Sequence, residues 1–224
     1  MASSSAAGNP TLYFAYGSNL WIAQMTRRCP DFCYVGVACL RGYKWFINER
    51  GFANIRETTS PNAVWGLVFA ISPADEASLD RSEGVPWCYQ KFTLKVVYWP
   101  IRGGAGAGMM PTDLRNEGTY ANMLVYIDKE RNLGRYKPRR EYVVRMNNGI
   151  ADALNAGVPM RYVQKVLRKY IPEGSPESGR QRVTPVRTQG RTQRRTQRVD
   201  DLEERIEAEV REFVKRLLDL AWGR

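Results

Sequence analysis

The stretch Thr11–Leu20, TLYFAYGSNL, has residue types in an order that could bind an anion. Apolar and aromatic residues run directly into Gly17, Ser18 and Asn19, and a helical pattern follows over Leu20–Arg28. A strand that turns at a glycine and continues as a helix directs several backbone N–H groups at one point. A carboxylate, a phosphate or a developing oxyanion can bind there. The same pattern is also ordinary turn chemistry, so this stretch alone leaves both interpretations open.

The chain has no histidine among its 224 residues. This absence excludes Ser-His-Asp and Cys-His catalysis and leaves proton transfer to Glu, Asp, Lys, Tyr or Cys. It also removes the commonest partner ligand of zinc. The four cysteines, at positions 29, 33, 39 and 88, lack the paired spacing of a metal site. We therefore expect no metal, and free thiols in the reducing environment of the cytoplasm.

Glu83 is the candidate acid–base group. The surrounding sequence predicts a short helix with Ser72 as its N-cap, Pro73 in its first turn and Gly84 at its end. Glu83 then falls on the last turn, where the terminal carbonyl groups repel a negative charge. A partly buried carboxylate in that place should have a raised pKa, as an acid–base group needs near neutral pH. The alternative is an exposed glutamate before a turn.

The elements that must position these residues mix strands and helices, which predicts an α+β fold. Strands are predicted at Phe32–Leu40, Tyr43–Asn48, Val64–Ile71, Lys91–Trp99 and Tyr120–Asp128, and later helices at Arg139–Asn155 and Pro159–Tyr170. A glycine-rich segment, RGGAGAGMM at 102–110, lacks the Lys-Ser/Thr of a P-loop and is interpreted as a surface connection. No apolar run approaches the roughly 18 residues of a membrane span.

Three motifs together resemble the γ-glutamylcyclotransferase family over about residues 11–172: YFAYGSNL near the start, LDRSEGV at 79–85, and a late helix that carries Tyr142 and ends at NAGVP. The SNL-W ending resembles the branch that acts on γ-glutamyl amino acids, and fungal relatives, more than the glutathione-specific branch. The resemblance implies a mixed β-barrel with flanking helices, no metal or cofactor, and often a homodimer.

The resemblance also implies a function and a site. Family members cyclise a γ-glutamyl group to 5-oxoproline and release a free amine. Glu83 matches the catalytic glutamate, and Tyr142 matches an aromatic residue that closes the pocket. Tyr89 is one residue closer to the glutamate than the family tyrosine, so its role stays open. The residues implied to line the substrate site are Tyr13, Phe14, Ala15, Tyr16, Gly17, Ser18 and Tyr142.

Outside this region the composition changes. Residues 1–10 are expected to be a disordered lead-in without the features of a secretory signal. Residues 173–199 hold seven arginines and few large apolar groups, which predicts a basic disordered linker. Residues 200–224 carry a regular apolar stripe, which predicts an amphipathic helix that docks on the body or self-associates.

Other functions remain open at this point. The chain could be an inactive cyclotransferase-like binding protein, or could belong to a branch specific for glutathione or glutathione adducts in secondary metabolism. The net charge of +11 could attract nucleic acid or anionic metabolites. The arginine-rich segment 173–199 has no aromatic residue to stack on bases, which disfavours nucleic acid as a partner.

Overall fold

A computed structural model of the protein describes residues 10–101, 112–134 and 136–174. The predicted glycine-rich segment 102–110, the predicted terminal helix 200–224 and nearly all of the predicted lead-in and linker lie outside the described residues.

Seven strands are present in the described part of the chain. They are β1 (Thr11–Ala15), β2 (Cys33–Arg41), β3 (Tyr43–Ile47), β4 (Ala53–Glu57), β5 (Ala63–Ile71), β6 (Gln90–Pro100) and β7 (Thr119–Ile127). Five of them form a closed barrel in the order β1-β5-β2-β6-β7, and β3 and β4 form a separate antiparallel hairpin. The barrel is antiparallel except where β1 and β7 close it as a parallel pair, with Tyr13 opposite Leu124. The predicted mixed barrel is confirmed.

Strand β6 illustrates how the sequence builds this barrel. Its first six residues alternate between partly buried and exposed positions, as the period of two predicts. From Val96 to Tyr98 three consecutive residues are buried. Here the strand is covered on both faces, so the alternation that identifies it from sequence ends.

Strand β4 was not predicted from the sequence. Its sequence ANIRE has a single large apolar residue, Ile55, and so no alternation to detect. Tertiary contacts define it instead. Asn54 donates to the carbonyl of Asp128 at 2.8 Å and accepts from the Asp128 N–H at 3.1 Å, which ties the β3–β4 hairpin to the end of β7.

Four α-helices among the described residues flank the strands: α1 (Ile22–Arg28), α2 (Pro73–Glu83), α3 (Arg140–Asn155) and α4 (Met160–Lys165). Helix α2 has the predicted ends. The Ser72 hydroxyl accepts from the N–H of Asp75 at 3.1 Å, and Gly84 ends the helix with a left-handed φ of 66°. Because these ends fix the length of α2, Glu83 lies on its last turn.

Two helices are shorter than their sequence patterns predict. The helix predicted from Leu20 begins at Ile22, after a 3-10 turn at Ser18–Leu20. The helix predicted over Pro159–Tyr170 is broken at Val166, where φ is −118°, and continues as a 3-10 turn. Over residues 10–101, 112–134 and 136–174, no helix is both long and apolar enough to cross a membrane.

Candidate active site

The loop after β1 forms one wall of a pocket. Gly17 and Ser18 lead into the 3-10 turn, which is held by the Leu20 N–H donating to the Gly17 carbonyl at 3.0 Å. A Cβ at Gly17 would lie 3.0 Å from the hydroxyl oxygen of Tyr142 and 3.3 Å from Cβ of Ala53. Glycine therefore allows α3 and the β3–β4 hairpin to approach the loop closely. The first N–H groups of the turn have no partner within it and can receive an acceptor from the pocket.

Glu83 faces this loop from the end of α2, with 17% of its side chain exposed. Its Oε1 accepts from Nδ2 of Asn19 at 3.0 Å and from Nη1 of Arg28 at 3.2 Å. No described residue donates a hydrogen bond to its Oε2 atom. One carboxylate oxygen is thus fixed, and the other can exchange a proton with a ligand.

Burial raises the pKa of Glu83 above its usual 4.5. The Arg28 charge, the Asn19 hydrogen bond and the charges of Arg145 and Arg50 act in the opposite direction, without cancelling the effect of burial. The direction agrees with the sequence prediction, but the largest cause is burial. A carboxyl group with a raised pKa suits proton transfer near neutral pH.

Asn19 positions Glu83, a role that its sequence pattern does not indicate. Its Nδ2 donates to both the Tyr13 hydroxyl, at 2.8 Å, and Glu83, while its Oδ1 accepts from Gln24 and Arg28. All the hydrogen-bonding capacity of this buried amide is used. The Gly-Ser-Asn pattern suggests a turn or cap residue, yet the Asn19 side chain caps no helix.

The pocket has a volume of about 160 Å³. Six of the residues singled out from the sequence line it together: Tyr13, Tyr16, Gly17, Ser18, Glu83 and Tyr142. Phe14 and Ala15 do not line it; both are fully buried in the barrel. These placements describe geometry, and the substrate-binding roles stay predictions.

Nine further residues line the pocket: Asn19, Arg28, Arg50, Phe52, Ala53, Ser82, Tyr89, Tyr126 and Arg145. Tyr89, whose role the sequence leaves open, is buried and donates its hydroxyl hydrogen bond to the carbonyl of Ala53 at 2.8 Å. Ser82 and Arg145 were within reach of sequence reasoning, being next to Glu83 and one helical turn after Tyr142. Nothing in the local pattern distinguishes Arg28 or Arg50 from surface arginines.

The hydroxyl group of Tyr142 is arranged as a donor. It accepts from the N–H of Ala53 at 3.2 Å. Burial raises its pKa, so the hydroxyl stays protonated. Among the described residues, none accepts the proton of this hydroxyl, which leaves it for a ligand in the pocket.

The described residues contain no group of three or more His, Cys, Asp or Glu side chains that could hold a metal ion. The arrangement instead offers one carboxylate, several backbone and hydroxyl donors, and positive charge from Arg28, Arg50 and Arg145.

Comparisons with known proteins agree with this fold. A family model described as Gamma-glutamyl cyclotransferase, AIG2-like, matches residues 13–137. The chain is similar to the γ-glutamylcyclotransferases of Bos taurus, 36% identical over 88 residues, and of Mus musculus, 35% identical over 88 residues. Each match covers 35% of this chain and 46% of the relative, so the chain spans about half the length of the curated relatives it matches. The fungal-type branch stays a prediction.

Two solved structures share the fold. An uncharacterised human protein has a TM-score of 0.56 and 25% identity, covering 81% of this chain and 95% of its own. A structure described as a gamma-glutamyl cyclotransferase has a TM-score of 0.55 and 22% identity, covering 85% and 97%.

Proposed function

The chain belongs to the γ-glutamyl cyclotransferase, AIG2-like family, and we propose that it releases 5-oxoproline and a free amine from a γ-glutamyl substrate. The observation that carries this proposal is the carboxylate of Glu83, which is held by one oxygen and has a raised pKa. It lines the same pocket as Gly17 and Ser18 of the loop after β1.

The reaction is an intramolecular attack. The α-amine of the γ-glutamyl group attacks its own side-chain amide carbonyl, a C–N bond forms, and the bond to the leaving nitrogen breaks. Because nucleophile and carbonyl belong to one molecule, holding it in a folded conformer supplies much of the rate. A pocket of about 160 Å³ that encloses the γ-glutamyl group would favour such a conformer.

Glu83 is assigned the proton transfers. The ammonium group loses two protons on its way to the lactam N–H. The leaving nitrogen gains one proton before it departs and another, in water, as the free amine. The unpartnered Oε2 of Glu83 takes a proton from the ammonium and delivers one to the leaving nitrogen in turn. Because the pKa of Glu83 is raised, this one carboxyl group can both accept and donate a proton.

The loop and α3 are assigned to binding. Arg145 Nη1 donates to the Ser18 hydroxyl at 3.2 Å, which places positive charge beside the first amides of the turn. We assign the substrate's α-carboxylate to this side of the pocket. The free proton of the Tyr142 hydroxyl is assigned to the carbonyl oxygen that becomes negative, since a preorganised donor there favours the tetrahedral state.

Glu83→Gln tests the proposal. We expect the purified wild type to release 5-oxoproline from at least one member of a panel of γ-glutamyl amino acids, γ-glutamyl amines, glutathione and a glutathione adduct. Glu83→Gln should keep its fold and lose roughly two to four orders of magnitude in turnover, because the proton carrier is removed. The readout is 5-oxoproline formed per enzyme per unit time.

Glu76→Gln is the matched control, since it makes the same chemical change on the same helix outside the pocket. Glu76 binds Lys91 and Thr11 and should affect turnover little. Near-normal release of 5-oxoproline by Glu83→Gln would reject Glu83 as the proton carrier. A wild type inactive on the whole panel would reject the proposed reaction and favour a binding protein.

A further inference from the structure

Arg50 is the arginine of the pocket that makes no side-chain hydrogen bond to any described residue. The backbone of Arg50 is well held: its N–H donates to the Asn48 side chain at 3.1 Å, and its carbonyl accepts from Nε of Arg139 at 2.9 Å. The guanidinium group lies over the rings of Phe52 and Tyr89, at 5.6 and 5.8 Å from their centroids. The guanidinium group therefore has two cation–π contacts, and no described residue accepts a hydrogen bond from it.

The other two pocket arginines are occupied. Arg28 donates through Nη1 to Asn19 and Glu83. Arg145 forms two hydrogen bonds with the carboxylate of Glu141, at 2.9 and 3.0 Å, and a third with Ser18. Their charges are needed where they are, to position the catalytic carboxylate and to support the loop.

The carboxylate nearest to Arg50 does not form a hydrogen bond with its guanidinium group. Nη1 of Arg50 is buried without a hydrogen-bond partner, and the Oδ2 atom of Asp128 lies 4.0 Å away. The Asp128 carboxylate already accepts from Arg131, from Asn48 and from two backbone N–H groups. A buried donor without a partner is costly. The Arg50 side chain is 29% exposed and lines the pocket, so a ligand there can engage the remaining donors of the guanidinium group.

The geometry suits a carboxylate. A guanidinium fork matches a carboxylate with two parallel hydrogen bonds. Arg50 also contributes least among the three arginines to lowering the pKa of Glu83, in the order Arg28, Arg145, Arg50. This order agrees with a role for Arg50 at a part of the ligand other than the reacting centre.

The charges in the pocket also indicate that Arg50 binds the leaving-group end of the substrate. Arg145 is hydrogen-bonded to the carboxylate of Glu141 and Arg28 to that of Glu83, whereas Arg50 only lies 4.0 Å from Asp128, a carboxylate that it shares with Arg131. A γ-glutamyl alkylamine carries one carboxylate and one ammonium group. A γ-glutamyl amino acid or peptide carries a second carboxylate, on the leaving group, and can neutralise Arg50.

We propose that Arg50 binds a carboxylate of the leaving group, and so selects γ-glutamyl amino acids and peptides over γ-glutamyl alkylamines. This inference rests on the proposed cyclotransferase reaction. It makes Arg50 a specificity-determining residue, separate from the proton transfers at Glu83 and from the binding of the α-carboxylate at the loop.

Two substrates that differ by one carboxylate test the inference: γ-glutamyl-alanine and γ-glutamyl-ethylamine. We expect the full-length wild type to prefer γ-glutamyl-alanine in kcat/KM. Arg50→Gln should lower kcat/KM for γ-glutamyl-alanine by about 10- to 100-fold, mainly through KM, because a charge-assisted hydrogen bond is lost. Its kcat/KM for γ-glutamyl-ethylamine should stay near the wild-type value.

Two further variants sharpen the result. Arg50→Lys keeps the charge but not the fork, so it should recover part of the preference. Arg56→Gln removes another arginine of the β3–β4 hairpin, which lies over the Phe46 ring at 5.6 Å and does not line the pocket, and should leave the preference intact. The ratio of the kcat/KM values for the two substrates, measured in one preparation, does not depend on how much of a variant is folded.

The outcomes separate the two proposals. An Arg50→Gln variant that loses activity equally on both substrates, or on neither, overturns the inference while the proposed reaction stands. A wild type with no preference for γ-glutamyl-alanine also overturns it. If the wild type forms no 5-oxoproline from any γ-glutamyl compound, the proposed reaction fails and the inference fails with it.

Discussion

The two oxygens of the Glu83 carboxylate have different surroundings. Oε1 is held by an amide and a guanidinium group, while Oε2 has no donor among the described residues. A carboxylate fixed in this way presents one basic atom to the pocket in one orientation. Asn19 and Arg28 therefore position the proposed proton carrier, and desolvation is the largest cause of its raised pKa.

The raised pKa predicts how stability depends on pH. The folded protein holds the Glu83 proton more tightly than the unfolded chain, so the wild type loses stability as pH rises above about 4.5 through the folded pKa. Glu83→Gln cannot show this loss. We expect the melting temperature of Glu83→Gln minus that of the wild type to increase from pH 4 to pH 7. A difference that falls over this range would mean that Arg28 outweighs burial.

The sequence identified Glu83 because its helix has recognisable ends, and it identified Gly17 and Ser18 because they interrupt an apolar strand. It could not identify Arg28 and Arg50. In a sequence, an arginine at a helix end or in a hairpin turn gives the same pattern whether its side chain faces solvent or a pocket. Only the tertiary structure shows that both line the same pocket as Glu83.

At the scale of elements, the approach of α3 to the loop after β1 sets the width of the pocket. Gly149 of α3 lies against this loop: a Cβ there would be 2.9 Å from Cβ of Leu20 and 3.0 Å from the backbone nitrogen of Trp21. Tyr142 and Arg145 project from the same helix into the pocket. Contact between the two backbones therefore determines how far these side chains reach into the pocket.

Gly149→Ala should destabilise the protein, although alanine favours a helix by about 1 kcal/mol. The added Cβ must displace α3 from backbone atoms, and such overpacking costs about 1–3 kcal/mol. Turnover should fall as well, because Tyr142 and Arg145 move outward. Thermal unfolding and 5-oxoproline release measure the two effects.

Asn148→Ala is the control for this change, since residue 148 is exposed on the same helix. It should leave turnover unchanged. A Gly149→Ala variant that is more stable than the wild type would show that α3 and the loop can separate without cost.

Elements were predictable where local chemistry decides them. The capped helix α2 and the five barrel strands follow from caps, glycines and alternation. The hairpin strand β4 and the break at Val166 were not predictable, because long-range contacts and local backbone geometry override weak patterns there. The hairpin matters for the candidate site, since Arg50, Phe52 and Ala53 line the pocket from it.

At the scale of the whole molecule, the pocket depends on segments far apart in the chain. Its lining runs from Tyr13 to Arg145, and the family model ends at residue 137, before Tyr142 and Arg145. The match alone therefore covers only part of the site, and the three-dimensional structure supplies the remainder.

We expect a chain ending at residue 174 to keep the kcat/KM of the full chain, because every described lining residue precedes that position. The predicted terminal helix, which lies outside the described residues, should show its role in other measurements. If it self-associates or docks on the body, its deletion changes the sedimentation mass or the melting temperature. A truncated protein unchanged in both would reject both roles, and one without turnover would place part of the machinery in the tail.

The positive charge that lines the pocket also affects how a catalytic cycle ends. In the proposed reaction, ring closure converts an ammonium group into an uncharged lactam nitrogen, while the carboxylate of the glutamyl part remains. The product 5-oxoproline is therefore more anionic than the group that entered. Arg28, Arg50 and Arg145 attract it more strongly than they attracted the substrate's glutamyl part. The pocket therefore slows the release of 5-oxoproline. Dissolved salt screens this attraction and would speed the release.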